Sequence, residues 1–177
     1  MFGHIKNILK NKSLKSAAAC ARKREELACN FEMAKTMGVI YPFNINIDTV
    51  LNAVRDVAER YNIELVFMIY FPQDKLPEGI EINSPSRIFF SDNECNWFGV
   101  PNAAAIKNFV NTRFNLLIDL SSKVWFPLQH IAISSNAGFK IGRINHETYN
   151  PYNFVLLGSE NEAQFIKDLE TYLYKIK

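Results

Sequence analysis

The sequence predicts an α/β fold, a three-layer sandwich around a mostly parallel sheet of five or six strands, and three observations carry that expectation. Short apolar runs alternate with segments of helical periodicity through residues 37–177. The run IELVFMIYF at 63–71 is apolar almost throughout, as a central parallel strand covered on both faces requires. The composition, 48% hydrophobic and 21% charged, is that of a chain able to bury a core without staples. A length of 177 residues suits one domain plus an appendage.

Taken in order, residues 2–34 read as helix, one long or two short with a break near 11–13. Phe2, Ile5, Ile8, Leu9 and Leu14 form a narrow apolar stripe, and Ala17, Ala18, Ala19 and Ala21 are strong helix formers. We divide the chain into a basic helical arm at 1–36, detached from the rest, and an α/β domain at 37–177. The domain opens with a strand, Val39 to Tyr41, stopped by Pro42. Asn46 or Asp48 can cap the next helix, whose inner face is Val50, Leu51, Val54, Val57, Ala58 and Tyr61. Asn62 ends it, and the 63–71 strand follows, stopped by Pro72.

Residues 73–86 read as a surface loop, and RIFF at 87–90 as a strand. Ser91-Asp92-Asn93-Glu94 matches a capping box. After the loop Asn96-Trp97-Phe98-Gly99-Val100-Pro101, Asn102 can cap a helix to Thr112. FNLLIDL at 114–120 is a strand. The following helix has Pro127 in its first turn, directs Leu128, Ile131, Ala132 and Ser135 to the sheet, and meets Gly138 where a helix C-terminus favours a left-handed residue. Strands at 139–144 and 153–157 follow. Ser159 and Glu162 then form a capping box for a last helix through Ile166, Leu169, Leu173 and Ile176. Right-handed crossovers between such strands give a Rossmann-like or flavodoxin-like sandwich with a basic N-terminal helix.

Charge is unevenly placed. Residues 1–24 hold Lys6, Lys10, Lys12, Lys15, Arg22, Lys23 and Arg24 and no acid. With twenty bases and eighteen acids in all, thirteen bases and eighteen acids remain for the body. A cationic leader on a mildly acidic body has three outcomes: RNA or a ribonucleoprotein as partner, an anionic membrane surface, or packing on its own domain.

The three cysteines are odd in number and none has CxxC spacing, so reduced thiols in a cytoplasmic protein are expected, without disulfides. No apolar run reaches the length of a membrane span, and no secretory leader is recognisable. Glycine-rich phosphate-binding fingerprints and the G-x-S-x-G elbow are missing. No cofactor and no metal are expected: His4, His130 and His146 are scattered.

Asp119, near the C-terminal end of its strand, lies where open α/β sheets bind ligands. With Ser121, Ser122 and His130 it could form a nucleophile set, although Ser121 and Ser122 serve equally as helix N-caps. Asn96, Trp97 and Phe98, with Trp125 in the next strand-to-helix loop, suggest an aromatic-lined edge able to contact a ligand or a protein partner.

The elements N-W-F-G-x-P at 96–101, FNLLIDL at 114–120, FPLQ-x-IA at 126–132 and FK-x-G at 139–142 resemble an uncharacterised bacterial family of small proteins. That resemblance implies the fold and no functional residue. Phe114 to Gly142 is also similar to part of the N-terminal half of heptosyltransferase-type glycosyltransferases, which implies a sugar-nucleotide enzyme. Those enzymes close the site with a second Rossmann-like domain, for which this chain has no room. The expected function is therefore a non-catalytic binding or accessory protein. Its alternatives are a reduced glycosyltransferase-like or nucleotide-binding enzyme and a membrane-peripheral protein.

Overall fold

Strands this apolar have no solvent side, and each must send alternate side chains into two different cores. The computed structural model of the chain, which describes residues 2–21, 27–44, 47–73, 83–84, 86–144, 146 and 148–176, has that arrangement. The strands are β1 (Thr36–Pro42), β2 (Glu64–Phe71), β3 (Asn83–Ser84), β4 (Arg87–Ser91), β5 (Leu116–Asp119), β6 (Phe139–Gly142) and β7 (Phe154–Val155). The helices are α1 (Phe2–Ala21), α2 (Ile47–Arg60), α3 (Ala104–Asn111), α4 (Phe126–Ser134) and α5 (Glu162–Leu173).

The described residues form one sheet in the order β3-β4-β2-β1-β5-β6-β7. Six strands are parallel, and β3 alone runs antiparallel, against β4. Numbered along the chain, the parallel strands lie 3-2-1-4-5-6, the doubly wound Rossmann-like order. The order reverses between β1 and β5. The short β3 corrects the expectation of a loop throughout 73–86; residues 74–82 and 85 lie outside the described set.

Period-two alternation sorts the strand residues between the two faces. Val39, Tyr41, Phe67, Ile69, Leu116 and Ile118 join α2 and α5 in one core. Ile40, Met68, Tyr70 and Leu117 join α3 and α4 in the other. Helices α2, α4 and α5 bury the predicted residues, whereas Ile5 and Ile8 of the predicted α1 stripe are exposed, and Asn62 ends the α2 segment with a φ of 55°.

Several predicted caps are corrected. Ala103, not Asn102, precedes α3, and Trp125, not Ser121 or Ser122, precedes α4; neither makes a side-chain cap bond. Asn161 caps α5 in place of Ser159, whose hydroxyl donates to Asp168 Oδ2 at 2.6 Å. The end of α4 is held instead by Lys140, fully buried on β6. Its Nζ donates to the Ala132 and Ile133 carbonyls at 2.5 and 3.2 Å, so a cation serves the carbonyl end of the helix. Gly138 lies beyond that end and is not in the left-handed region. The predicted cap Asn46 lies outside the described residues.

The largest correction concerns the N-terminal arm. It is not detached: α1 packs along α4. Leu14 of α1 and Ile133 of α4 are both buried, yet neither belongs to the two sheet cores. Each lies on one of the two helices that pack together. The chain is not helical to residue 34 either. Cys29, Phe31 and Ala34 enter the α2–α5 core, with the Phe31 ring stacked 5.7 Å from Tyr61. Asn30 secures this turn, accepting from Met33 N–H at 2.9 Å and donating to the Ile176 carbonyl at 2.8 Å. Burying these side chains outweighs helix propensity, which is worth only tenths of a kcal/mol per residue.

Candidate functional site

Two groups of predicted residues lie at the C-terminal edge of the parallel sheet. The first is the loop after β4. Ser91 caps the 3₁₀ turn 92–94 as a capping box, its backbone N–H donating to Glu94 Oε2 at 2.7 Å. Asn96 then organises the loop: its Oδ1 accepts from Phe98 N–H at 3.2 Å and Val100 N–H at 2.9 Å. Gly99 completes the reversal with a φ of 93°, a conformation that disfavours other residues. Asn96 is thus a loop organiser. Trp97 stands out with 62% of its surface exposed, and Phe98 is half-buried against it, edge to face at 5.4 Å.

Trp125, in the loop after β5, is half-buried. Its ring meets Tyr70 edge-on at 5.8 Å, and Lys123 Nζ lies 4.4 Å from its centroid. The loops are neighbours: a Cβ on Gly99 would lie 3.3 Å from the Phe126 ring and 3.7 Å from Lys10 Cε. Lys10 Nζ sits 4.7 Å over Phe126. Helix α1 is therefore anchored against the aromatic loops by one of its own lysines. Burial beside Phe126 lowers the pKa of Lys10, and the Lys6 charge adds to that, while Asp92 opposes it. Lys6, Lys12 and Lys15 remain exposed. Arg22, Lys23 and Arg24 lie outside the described residues.

The second group surrounds Asp119, at the point where strand order reverses. The residue is only 2% exposed. Oδ1 accepts from Ser121 N–H at 2.8 Å and Oδ2 from the Tyr152 hydroxyl at 2.5 Å. The Tyr152 oxygen lies 3.2 Å from His146 Nε2. Burial raises the pKa of Asp119 against the pull of these hydrogen bonds, and raises that of Tyr152 well above its ordinary value. The Tyr152 ring lies flat on Gly142, where a Cβ would come within 2.4 Å of it. Only glycine there lets the tyrosine reach Asp119.

The predicted nucleophile set is not assembled. His130 bonds weakly to Ser134 on its own helix, 3.4 Å from Nδ1 to Oγ, and Ser122 is exposed. Among the described residues, Ser121 Oγ and His146 Nδ1 are buried without a hydrogen-bond partner. Sequence reasoning missed Tyr152 and His146. Both lie in the turn-rich segment after β6, the strand paired with β5, and that adjacency was their only signal. Closed under Tyr152, the cluster ties His146 and Tyr152 to the sheet and, among the described residues, holds no open nucleophile. Arg143 does similar work beside it, donating to Glu162 at 2.8 Å and to the Ser159 carbonyl at 3.0 Å.

Among the described residues no group of three or more His, Cys, Asp or Glu side chains is placed to hold a metal ion. No helix among them is long and apolar enough to cross a membrane. Cys20, Cys29 and Cys95 are free thiols.

Residues 6–176 match a family of unknown function (DUF6913). The chain belongs to that family. The DUF6913 match begins inside α1, so the helix is part of the family's common unit together with the sheet. Comparison with curated proteins and with solved structures gives no match.

Proposed function

We propose that this DUF6913 protein is a non-catalytic docking protein that binds RNA, or the RNA of a ribonucleoprotein, with the exposed lysines of α1 and the loop carrying Trp97. One observation supports this above the others: Lys10 on Phe126 anchors the cationic helix beside an exposed tryptophan, while Lys6, Lys12 and Lys15 stay free to meet phosphates. Proteins hold single strands with that combination, phosphate neutralisation plus stacking worth about 1–3 kcal/mol per base. The sealed state of Asp119 argues against a catalytic role for it. Trp97 and Phe98 also suit a protein neighbour within such an assembly, and a cytoplasmic location follows from the role.

The test is fluorescence anisotropy with a labelled single-stranded RNA across a salt series. The K6Q/K12Q/K15Q triple variant is expected to weaken binding and to flatten the log K against log salt slope by about 2, at roughly 0.7 per lost contact. Trp97→Ala is expected to weaken binding about tenfold at every salt concentration. Affinity and slope unchanged in both variants would overturn the proposal.

A second reading is a membrane-peripheral role. Ile5 and Ile8, 44% and 52% exposed on the same helix, favour it, because aliphatic side chains gain more from acyl chains than from RNA. Flotation with anionic vesicles, without RNA binding, would replace the first reading with this one.

A further inference from the structure

Toward the body, the C-terminal half of α1 carries short side chains. Among them are Ser13, Ala17, Cys20 and Ala21, which leave space beneath the helix. A cavity of about 360 Å³ lies between this stretch and His130, Ser134 and Asn136. A second, of about 610 Å³, adjoins it at the opposite edge of the sheet from Trp97, and Cys20, Ala21 and Asn136 line both. The larger space falls within the roughly 300–1,000 Å³ of small-molecule sites.

Its wall is mixed, the apolar part coming from Leu27, Cys29, Met33 and Phe114 and the polar part including Arg113, Asn115 and Asn136. Leu27 and Met33 are 61% and 53% exposed, an apolar rim open to solvent. The polar side is selective. Asn115 Oδ1 is already occupied by the N–H groups of Lys35 and Thr36. Arg113 is exposed, and among the described residues its guanidinium makes no hydrogen bond or ion pair. No described acid lines the cavity. Among the described residues, the occupant that matches this lining covers hydrocarbon and presents negative charge to the Arg113 guanidinium, which binds carboxylate or phosphate well.

We infer that this cavity binds a single-chain anionic amphiphile, with its hydrocarbon between Ala21, Met33 and Phe114 and its head on Arg113. The site is separate from the RNA surface: none of Lys6, Lys12, Lys15 or Trp97 lines it.

Calorimetric titration of the full chain tests it with four probes below their micelle concentrations: dodecanoate, dodecyl phosphate, dodecyltrimethylammonium and butanoate. At least one dodecyl anion is expected to bind with one-to-one stoichiometry, and comparison of the two tells which head is preferred. The cation and butanoate are expected to bind at least about tenfold more weakly. Arg113→Gln is expected to cost the dodecyl anion about tenfold or more, as for a lost hydrogen bond to a charged group, with the melting temperature of the free protein unchanged. Ala21→Phe, which fills the space, is expected to abolish binding. Absence of binding by both dodecyl anions, equal binding of anion and cation, or affinities unaltered in both variants would each overturn the inference.

Discussion

Helices α2 and α4 pack on opposite faces of the same sheet, and they are built to different rules. In α2 the buried positions are Val50, Leu51, Val54, Val57 and Ala58, while Asn52, Asp56, Glu59 and Arg60 face water. One stripe is apolar and the other side polar, as a helix with one neighbour layer demands. In α4, Pro127, Leu128, Gln129, Ile131, Ala132 and Ile133 are all buried, and only the stripe of Phe126, His130 and Ser134 is partly exposed. A helix buried over most of its circumference needs a cover on the side away from the sheet as well. Its cover is α1, and a three-layer sandwich thereby gains a fourth layer on one side only. The sequence FPLQHIAIS already carried that requirement. A detached N-terminal arm would have left α4 with an exposed apolar face.

Substitution of the sheet-distal positions breaks the comparison most directly. Ile133→Lys places an unpaired charge between α1 and α4 and is expected to destabilise by more than about 4 kcal/mol, whereas Asn52→Lys on the outer face of α2 stays within about 0.5 kcal/mol. Urea unfolding of the two variants measures the contrast, and equal small effects would show that α1 does not cover α4. Removal of residues 1–21 comes next. It is expected to lower the melting temperature by roughly 10 °C and to promote aggregation through the uncovered face. An unchanged melting curve would restore the detached arm.

Within α1 itself the two sides should differ. Leu14→Ala is expected to cost about 2–4 kcal/mol through the cavity it leaves, and Ile8→Ala less than about 0.5 kcal/mol. The smallest expected effect is in pH. Burial lowers the pKa of His130 on α4 below its ordinary value of 6.5, so the folded protein binds this proton less readily than the unfolded chain. Its contribution to stability is present above that ordinary value and is lost as pH falls below it toward the folded pKa. His146 acts in the same direction, as its desolvation outweighs the pull of Asp119. The urea midpoint of the wild type should therefore fall on acidification through that window. His130→Gln should flatten part of the fall, and an identical slope in the variant would exclude His130 as a contributor.

How much of this was legible beforehand varies with the range of the interaction. The capping box at Ser91 and the helix end at Asn62 are set by residues within a turn of one another, and both appear as expected. Predicted caps at Asn102, Ser121 and Ser159 fail because each helix begins later along the chain, α3 and α4 without a side-chain cap bond and α5 at Asn161 while the Ser159 hydroxyl turns to Asp168. Trp97 could be singled out as a candidate from its loop composition. The partners of Asp119 could not. Tyr152 reaches it only because β6 pairs with β5 and Gly142 clears the way, a contact across 33 residues of chain.

By itself the sequence determined the alternation of strands and helices, the two-faced burial of the strands and the separation of a basic leader from a more acidic body, because each depends on periodicity or composition over a short window. Only the tertiary structure decided that α1 lies on α4 and that Asp119 is closed beneath Tyr152. The inward side of α1 relies on short side chains and one buried leucine, too little apolar contrast to mark a face in a linear chain. Close packing in three dimensions supplies what that contrast lacks, since a helix with buried apolar residues on the side away from the sheet cannot be left uncovered there.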